Sequence, residues 1–324
     1  MKSILVTGAA GFIGSHLCEA LLRAGYRVRG IDSFTPHYDR GLKELNLVPA
    51  LASPGFEFVE LDLAVSPLAD VVADAEWVFH LAARPGVRDS WGDFEDYAHS
   101  NIIGTKALLD ACARRSTRVV YASSSSVYGN ADQLPVTERT PLRPISPYGA
   151  TKVMTETLAG AYGASRGLEV VGLRYFTVYG PRQRPDMGLS RFIEAAVAGR
   201  EIGIYGDGRQ MRDFTFVDDV VAATIAAAER GTPGGIYNVA SGRPLPLLDV
   251  LGVLSEVIES KLRLVFEDPK TGDVRDTWAA TQRATDELGF TAAVPLGEGL
   301  ARQVAEAARR RELSFAASTD TTQA

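Results

Sequence analysis

Short apolar runs alternate with amphipathic stretches through the first 175 residues. The runs at 3–7, 26–31, 56–61, 77–83 and 119–122 are rich in β-branched and aromatic residues, and each is about the length of a strand. Such nearly continuous apolar character is typical of strands buried on both faces of a parallel sheet. Residues at helical spacing separate these runs. The alternation predicts an α/β fold with a doubly wound parallel (Rossmann) sheet.

The first apolar run ends at a glycine-rich turn. Gly8, Gly11 and Gly14 have the spacing G-x-x-G-x-x-G, one residue longer than the common dinucleotide fingerprint. Gly8 can adopt a left-handed turn, Gly11 lets a pyrophosphate approach the backbone, and Gly14 lets a helix pack closely on its strand. The free N–H groups and the dipole of that helix then face an anion. We therefore predict that these glycines, with Phe12 and Ile13, bind a dinucleotide.

Acidic residues follow the second and third apolar runs. Asp32 lies about 20 residues beyond the glycine turn, where a carboxylate holds the adenosine ribose. Ser33 and Phe34 come next, and neither is an arginine that could bind the 2′-phosphate of NADP. NAD is therefore favoured over NADP. Asp62 and Leu63 follow the third run; Asp62 would accept the adenine amino group or simply form a turn.

Composition excludes several other classes of protein. The chain of 324 residues has a net charge of −6, which gives no electrostatic case for binding nucleic acid or an anionic membrane surface. No run of 18 apolar residues would form a membrane span, and strand one begins too early for a signal peptide. Cys18 and Cys112 make neither a disulfide framework nor a metal motif. We expect a cytoplasmic protein without a metal.

A serine run and a Tyr-Lys pair supply candidate chemistry. Ser123–Ser126 follows the apolar run at 119–122, and Tyr148 and Lys152 stand four residues apart, on one face of an expected helix. The lysine charge would lower the pKa of the tyrosine from its ordinary value near 10. Such a tyrosine could take a proton from a sugar hydroxyl, with a serine hydroxyl bridging the two.

In combination these motifs resemble the extended short-chain dehydrogenase/reductase superfamily, and within it the NAD-dependent sugar-nucleotide epimerases and dehydratases. The likeness runs from Lys2 to about Val304 and includes the motifs at 7–14, 62–63, 80–83, 124–129, 148–152 and 212–214. It implies that Ser124 lies beside the catalytic base, that Tyr148 is this base, and that Lys152 tunes it and holds the nicotinamide ribose. The other cofactor residues are expected to be Leu81, Ala82, Ala83, Asn101, Tyr175 and Phe176.

The serine run also bears on the reaction. Dehydratases of the family carry Thr-Asp-Glu where this chain has Ser124–Ser126, and its decarboxylases usually carry Glu where Ser126 stands. The resemblance therefore implies epimerisation at C4. The segments 85–91 and 174–187 look most like UDP-glucuronate 4-epimerases, which interconvert UDP-glucuronate and UDP-galacturonate. The alternative is a UDP-glucose/UDP-galactose 4-epimerase, many of which have Asn where Thr177 stands.

A uronate substrate would need a site for its carboxylate. Ser125, Ser126 and Thr177 could surround that group with neutral donors. Arg88 or Arg184 could supply charge, unless these arginines belong to a solvated loop or bind phosphate. By resemblance, the other substrate contacts are Tyr205 at the uracil (otherwise a sheet-packing residue) and Arg212, Arg275 and Arg191 at the phosphates.

The later part of the chain predicts a smaller C-terminal α/β substrate-binding lobe. We assign 1–175 to the NAD-binding domain, with returns of the chain from the later part, 176–313 mainly to the sugar-nucleotide lobe, and 314–324 to a disordered tail. Members of the family usually pair through two helices, so the resemblance implies a homodimer joined through the regions 90–115 and 148–166. A non-catalytic NAD-binding regulator is a further interpretation, which the intact serine, tyrosine and lysine disfavour. A net dehydrogenase is another, and accumulation of free NADH would identify it.

Overall fold

The computed structural model describes residues 3–115, 117–268 and 274–320, with side chains to residue 312. The strands are β1 (Ser3–Thr7), β2 (Arg27–Asp32), β3 (Phe56–Glu60), β4 (Ala75–His80), β5 (Arg118–Ser124), β6 (Val170–Tyr175), β7 (Thr177–Tyr179), β8 (Ile202–Tyr205), β9 (Met211–Arg212), β10 (Phe214–Phe216), β11 (Ile236–Val239), β12 (Leu245–Pro246) and β13 (Leu264–Glu267). The α-helices are α1 (Phe12–Arg23), α2 (Arg40–Leu51), α3 (Phe94–Tyr97), α4 (Gly104–Ala113), α5 (Pro147–Arg166), α6 (Gly188–Val197), α7 (Val217–Arg230), α8 (Leu247–Ile258), α9 (Gln282–Leu288) and α10 (Leu296–Asp320).

Seven parallel strands form the central sheet, in the order β3-β2-β1-β4-β5-β6-β11. The chain builds outward from β1 in one direction and then resumes on its other side with β4. This reversal opens a crevice beyond the carboxyl ends of β1 and β4, where open α/β sheets bind ligands. The predicted doubly wound parallel sheet is confirmed.

Alternate residues of β1 show how helices cover both faces of this sheet. Ile4 and Val6 join one core cluster with residues of α1 and α7, whereas Leu5 joins another with residues of α4 and α5. All three side chains are fully buried. Burial of each contributes about 1.5–3 kcal/mol relative to exposure, so β1 is fixed between two layers.

The smaller lobe is built from short strand pairs and helices. β7 pairs with β10, β8 with β13 and β9 with β12, and α6, α8 and α10 pack around them. Between these pairs the chain returns to the central sheet as β11, which lies beside β6. Segments distant in sequence therefore meet at one edge of the sheet.

Several elements differ from their predicted extents. Helical spacing over 42–47 predicts a short helix, and the structure has the longer α2 there, because Asn46, Leu47 and Ala50 are buried and outweigh the interruption at Pro49. The long helical region predicted over 90–115 is confirmed for 94–113, where α3, a π-helical turn at Ala98–Ile103 and α4 follow one another without a break. α10 continues to Asp320 through residues predicted as tail, and 321–324 lie outside the described residues. No helix in the described ranges has the length and apolar character that a membrane crossing needs.

Candidate functional site

A cavity of about 1520 Å³ extends along the carboxyl ends of the strands and into the smaller lobe. All the predicted cofactor and substrate residues line it except Asn101. The glycine turn therefore faces one continuous space with the serine run and the Tyr-Lys pair, which lie more than a hundred residues later in the sequence. Among the described residues, no group of three or more His, Cys, Asp or Glu side chains is placed to hold a metal ion.

The glycine turn has little space for side chains. Gly8 has φ +74°, and a Cβ there would lie 2.8 Å from the Ala82 amide nitrogen. A Cβ on Gly14 would lie 2.0 Å from the Gly8 carbonyl oxygen. α1 starts after Gly11 without a side-chain cap, so its first N–H groups face the cavity as an anion site.

A buried lysine lies at the same end of the cavity as Asp32. Asp32 accepts hydrogen bonds from the Ala10 and Phe34 amides at 3.2 and 2.9 Å. Lys43 is only 4 % exposed and donates from Nζ to the Thr35 carbonyl at 2.7 Å. Burial raises the pKa of Asp32 and lowers that of Lys43, and the charge of each opposes the shift in the other.

Lys43 was not predicted as a site residue. It lies on the buried face of α2 with Asn46, Leu47 and Ala50, and this lysine at an otherwise buried position is the signal that could have identified it. The glycine turn, Asp32 and Lys43 together form a site that fits NAD. Asp32 would hold the ribose hydroxyls, and Lys43 and the uncapped start of α1 would hold the polar and anionic groups beside them.

The start of α5 brings Tyr148 to the serine run. Ser146 caps the helix by accepting from the Gly149 amide at 3.1 Å, and Pro147 occupies its first turn. A Cβ on Gly149 would lie 2.6 Å from the Ser126 carbonyl oxygen, so a glycine is needed at this close approach. Ser124 accepts from the Ser126 amide at 3.2 Å, which holds both serine side chains at the cavity wall.

The electrostatics of Tyr148 differ from the prediction. Burial raises its pKa, while the hydrogen bond with Ser124 and the charge of Arg184 act in the opposite direction. The predicted lowering by Lys152 is not found, because the Lys152 ammonium donates to the Ala122 carbonyl at 2.9 Å and lies 6.0 Å from the centroid of the Tyr148 ring. Burial lowers the pKa of Lys152 to about 8, and Glu156 opposes that change.

Asn101 supports the site from behind. It is 1 % exposed, accepts from the Arg84 amide at 2.7 Å and donates to Thr151 Oγ1 at 3.0 Å. Its predicted place in the cofactor pocket is therefore corrected, because its side chain is used to join the loop after β4 to α5. The π-helical turn also exposes its carbonyl, which accepts from the hydroxyls of Thr105 and Thr155.

His80 is a packed residue of β4, and its hydrogen bonds assign its protons. Thr105 donates its hydroxyl proton to the Asn101 carbonyl, so it accepts from His80 Nε2 at 2.9 Å. Thr7 Oγ1 accepts from the Ala82 amide and donates to His80 Nδ1 at 2.9 Å. The ring is therefore neutral and carries its proton on Nε2.

Acid should destabilise the fold through His80. Burial and the charge of Lys152 lower the pKa of this histidine to about 3, from an ordinary value of 6.5. Between these values the unfolded chain binds the extra proton, so the free energy of unfolding falls as the pH falls from 6.5 to 3, by about 4 kcal/mol from this group. In thermal unfolding measured across that range, His80→Gln should show a smaller loss of Tm with acid. An unchanged pH dependence would contradict the assignment.

Two contacts order the loops at the substrate end. Arg184 binds Asp186 through two hydrogen bonds, from Nε at 3.0 Å and Nη2 at 2.9 Å. Burial alone would raise the pKa of Asp186, but the His37 ring, with Nε2 3.7 Å from Asp186 Oδ2, and the hydrogen bonds from Arg184 hold it well below its usual range. Across the cavity, the Arg88 guanidinium lies 4.7 Å from the centroid of the Tyr205 ring. The loop after β4 thus contacts the smaller lobe through these two side chains.

The other predicted ligands differ in how they are held. Arg212 donates to the backbone carbonyls of Val274 and Arg275, so it orders the loop that carries Arg275. The Arg275 side chain is 86 % exposed and Arg191 is also exposed. Asp62 accepts from the Ala64 amide and pairs with His99 at 2.8 Å. Tyr175 is hydrogen-bonded to Thr224 at 2.7 Å and lines the cavity with Phe176.

Known proteins resemble the whole chain. It is 42 % identical to the Bacillus subtilis protein named "Uncharacterized UDP-glucose epimerase YtcB" (93 % of this chain, 96 % of that one), and 37 % identical to a UDP-glucuronate 4-epimerase of Thermodesulfobacterium geofontis (94 % and 95 %). The crystal structure of a UDP-glucuronic acid 4-epimerase from Bacillus cereus, in complex with UDP-glucuronic acid and NAD, superposes with a TM-score of 0.92 at 39 % identity (95 % and 99 %).

A family model matches most of the chain as well. Residues 4–240 match the model described as the NAD dependent epimerase/dehydratase family. This range contains the glycine turn, the serine run and the Tyr-Lys pair. The chain belongs to the NAD dependent epimerase/dehydratase family.

Proposed function

We propose that this protein is a UDP-glucuronate 4-epimerase that interconverts UDP-glucuronate and UDP-galacturonate with bound NAD. The observation that carries the proposal is the single cavity in which Tyr148 and Ser124 meet the uronate donors Ser126 and Thr177. The printed names of the Thermodesulfobacterium and Bacillus cereus relatives support the same substrate.

In the proposed reaction, Tyr148 takes the proton of the O4 hydroxyl and later returns it. When bound, NAD supplies a hydride acceptor that receives the hydrogen of C4 and gives it back on the opposite face of the sugar. Ser124 lines the cavity beside Tyr148, where its hydroxyl would align the Tyr148 hydroxyl with O4. The Lys152 ammonium has three N–H groups, and one of them donates to the Ala122 carbonyl. The others would hold the nicotinamide ribose.

The substrate carboxylate creates a particular hazard. Oxidation at C4 gives a β-keto acid, which loses CO₂ when its C5–carboxylate bond aligns with the carbonyl π system. Ser125, Ser126 and Thr177 line the cavity and would fix the carboxylate out of that alignment. Arg184 lines the same cavity, and its positive charge would attract the carboxylate there.

Removing these donors should increase the loss of CO₂. We expect the double variant Ser126→Ala/Thr177→Ala to release a pentose nucleotide at least about 10-fold faster relative to epimerisation, since each lost charge-assisted hydrogen bond is worth about 1.5–3 kcal/mol. NMR of the reaction mixture measures the ratio of pentose to uronate products. Thr140→Ala, which changes a hydroxyl on the 137–140 turn outside the cavity, is the control. If the double variant loses no more CO₂ than the parent protein, Ser126 and Thr177 do not fix the carboxylate.

A UDP-glucose/UDP-galactose 4-epimerase is the second candidate, favoured by the printed name of the Bacillus subtilis relative. NMR of purified protein incubated separately with UDP-glucuronate and UDP-glucose, without added cofactor, distinguishes the two. The first proposal requires a higher kcat/KM for UDP-glucuronate, and the reverse order favours the second. Turnover of neither substrate supports a non-catalytic role, and accumulation of free NADH supports a net dehydrogenase.

We also propose a cytoplasmic homodimer. α4 and α5 pack side by side, and nearby Ile103 and Met154 are 50 % and 44 % exposed, which favours a further apolar surface against them. Cys18 and Cys112 are free thiols, in keeping with a reducing compartment. Light scattering on the eluted protein measures the mass, and a value of one chain would contradict the dimer.

A further inference from the structure

Three successive turns of α5 meet three consecutive residues at the end of β5. Tyr148, Lys152 and Glu156 recur every fourth residue along the helix, and thus share one face. Their contacts run from Tyr148 to the Ser124 hydroxyl, from Lys152 to the Ala122 carbonyl at 2.9 Å, and from Glu156 to the Ser123 hydroxyl at 2.5 Å.

Glu156 is held as a carboxylate by hydrogen-bond donors. Its Oε1 accepts from Ser123 Oγ at 2.5 Å and from Arg174 Nε at 2.9 Å, and its Oε2 accepts from Arg174 Nη2 at 2.7 Å. The Arg174 guanidinium can only donate, so it binds both carboxylate oxygens in a bidentate, charge-assisted contact. Glu156 is 7 % exposed and Arg174 is 3 % exposed, so the pair is buried beside the catalytic helix.

The other titratable groups packed around this pair are mostly uncharged. Burial lowers the pKa of His80 on β4 to about 3, raises that of Tyr121 on β5, and raises that of Tyr128 to about 12. Glu138 faces Arg174 through its backbone carbonyl, while its carboxylate accepts from the Asn238 amide at 2.8 Å. Within the described part of the chain, Glu156 is the anion that acts on Lys152.

We propose that Glu156 is a positioning residue of the epimerase, which fixes the end of β5 against α5 and keeps Lys152 charged. The inference rests on the proposed function. Without this anion one turn away, the buried ammonium would lose its proton at a lower pH and would donate fewer hydrogen bonds to a ribose. Arg174 holds both oxygens of the carboxylate, and the bond to Ser123 places the adjacent Ser124 beside Tyr148.

The test compares pH profiles of turnover in the full-length protein. Glu156→Gln removes the charge but leaves Arg174 buried without its partner, so the double variant Glu156→Gln/Arg174→Met removes both charges together. Glu156→Asp keeps the charge. Glu169→Gln, which breaks a surface pair with Arg118, is the matched control. For each protein, kcat and kcat/KM are measured from pH 6 to 10, with Tm and the content of bound NAD.

We expect the alkaline limb of the kcat profile to move to lower pH by about 0.5–1 unit in both glutamine variants and not in the control. Glu156→Asp should keep the limb near its wild-type position even where kcat falls. The double variant should recover Tm relative to Glu156→Gln without recovering the profile. If Glu156→Gln does not fold, the double and aspartate variants decide the result.

A double variant that folds, retains NAD and shows the wild-type profile would overturn the proposal, because Glu156 would then be only a packing residue. An unshifted profile in Glu156→Gln would overturn it as well. Failure of the proposed function appears separately, as absence of sugar-nucleotide turnover in the wild-type protein.

Discussion

Tyr148→Phe should lower the rate of C4 epimerisation by about 10²- to 10⁴-fold, the usual contribution of a positioned acid-base group. The variant removes one oxygen from a side chain whose ring packs edge-on to Tyr97, with centroids 6.2 Å apart. That packing does not depend on the hydroxyl, so folding, bound NAD and substrate affinity should change little. A fall in kcat with unchanged KM would therefore identify a group that acts on the reacting proton.

The control for this variant is Tyr162→Phe, which changes another hydroxyl of α5. Tyr162 binds Asp110 outside the cavity, so its loss should leave turnover near the parent value. Isothermal titration with UDP-glucuronate checks that Tyr148→Phe still binds the sugar nucleotide. Full turnover in Tyr148→Phe would falsify the assignment of the base.

Gly14→Ala should remove most of the bound cofactor. The added methyl carbon would lie 2.0 Å from the Gly8 carbonyl oxygen and 2.8 Å from the Gly8 carbonyl carbon. Both are backbone atoms, so α1 or the turn must shift, and the N–H groups that face the pyrophosphate would shift with them. Losing two such charge-assisted bonds weakens NAD binding by about 100-fold or more.

The NAD content of the purified Gly14→Ala protein can be measured after denaturation. Gly252→Ala is the control, because this exposed glycine of α8 has nothing within 4 Å of an added Cβ. In that helix interior, alanine should raise the free energy of unfolding by about 0.5–1 kcal/mol and leave the cofactor in place. If Gly14→Ala retained the wild-type content of NAD, the glycine turn would not be the pyrophosphate site.

Local patterns carried most of what the sequence predicts correctly. The central strands are continuous apolar runs because both of their faces are buried, and the glycine turn has a spacing that few other sites need. The paired strands β9 and β12 have only two residues each, which is too few to produce a periodic pattern of apolar residues. Similarly, the full length of α2 is recognised only when its buried face is seen packed against α1.

Contacts between distant segments could not be predicted in the same way. Nothing near Asp186 in the sequence indicates that His37, about 150 residues earlier, approaches it. Lys152 was expected to act on Tyr148 because four residues separate them in a helix. The carbonyl of Ala122, on another strand, determines where its ammonium lies instead.

The transfer and return of one hydrogen at C4 can be measured with UDP-glucuronate deuterated at that carbon. Incubated with purified protein and no added NAD, it should give UDP-galacturonate that retains deuterium at C4, now on the opposite face. Mass spectrometry and proton NMR detect the label and its position, and no free NADH should accumulate. Product that has lost its deuterium to solvent would contradict the proposed mechanism, and so would product formed only when NAD is consumed.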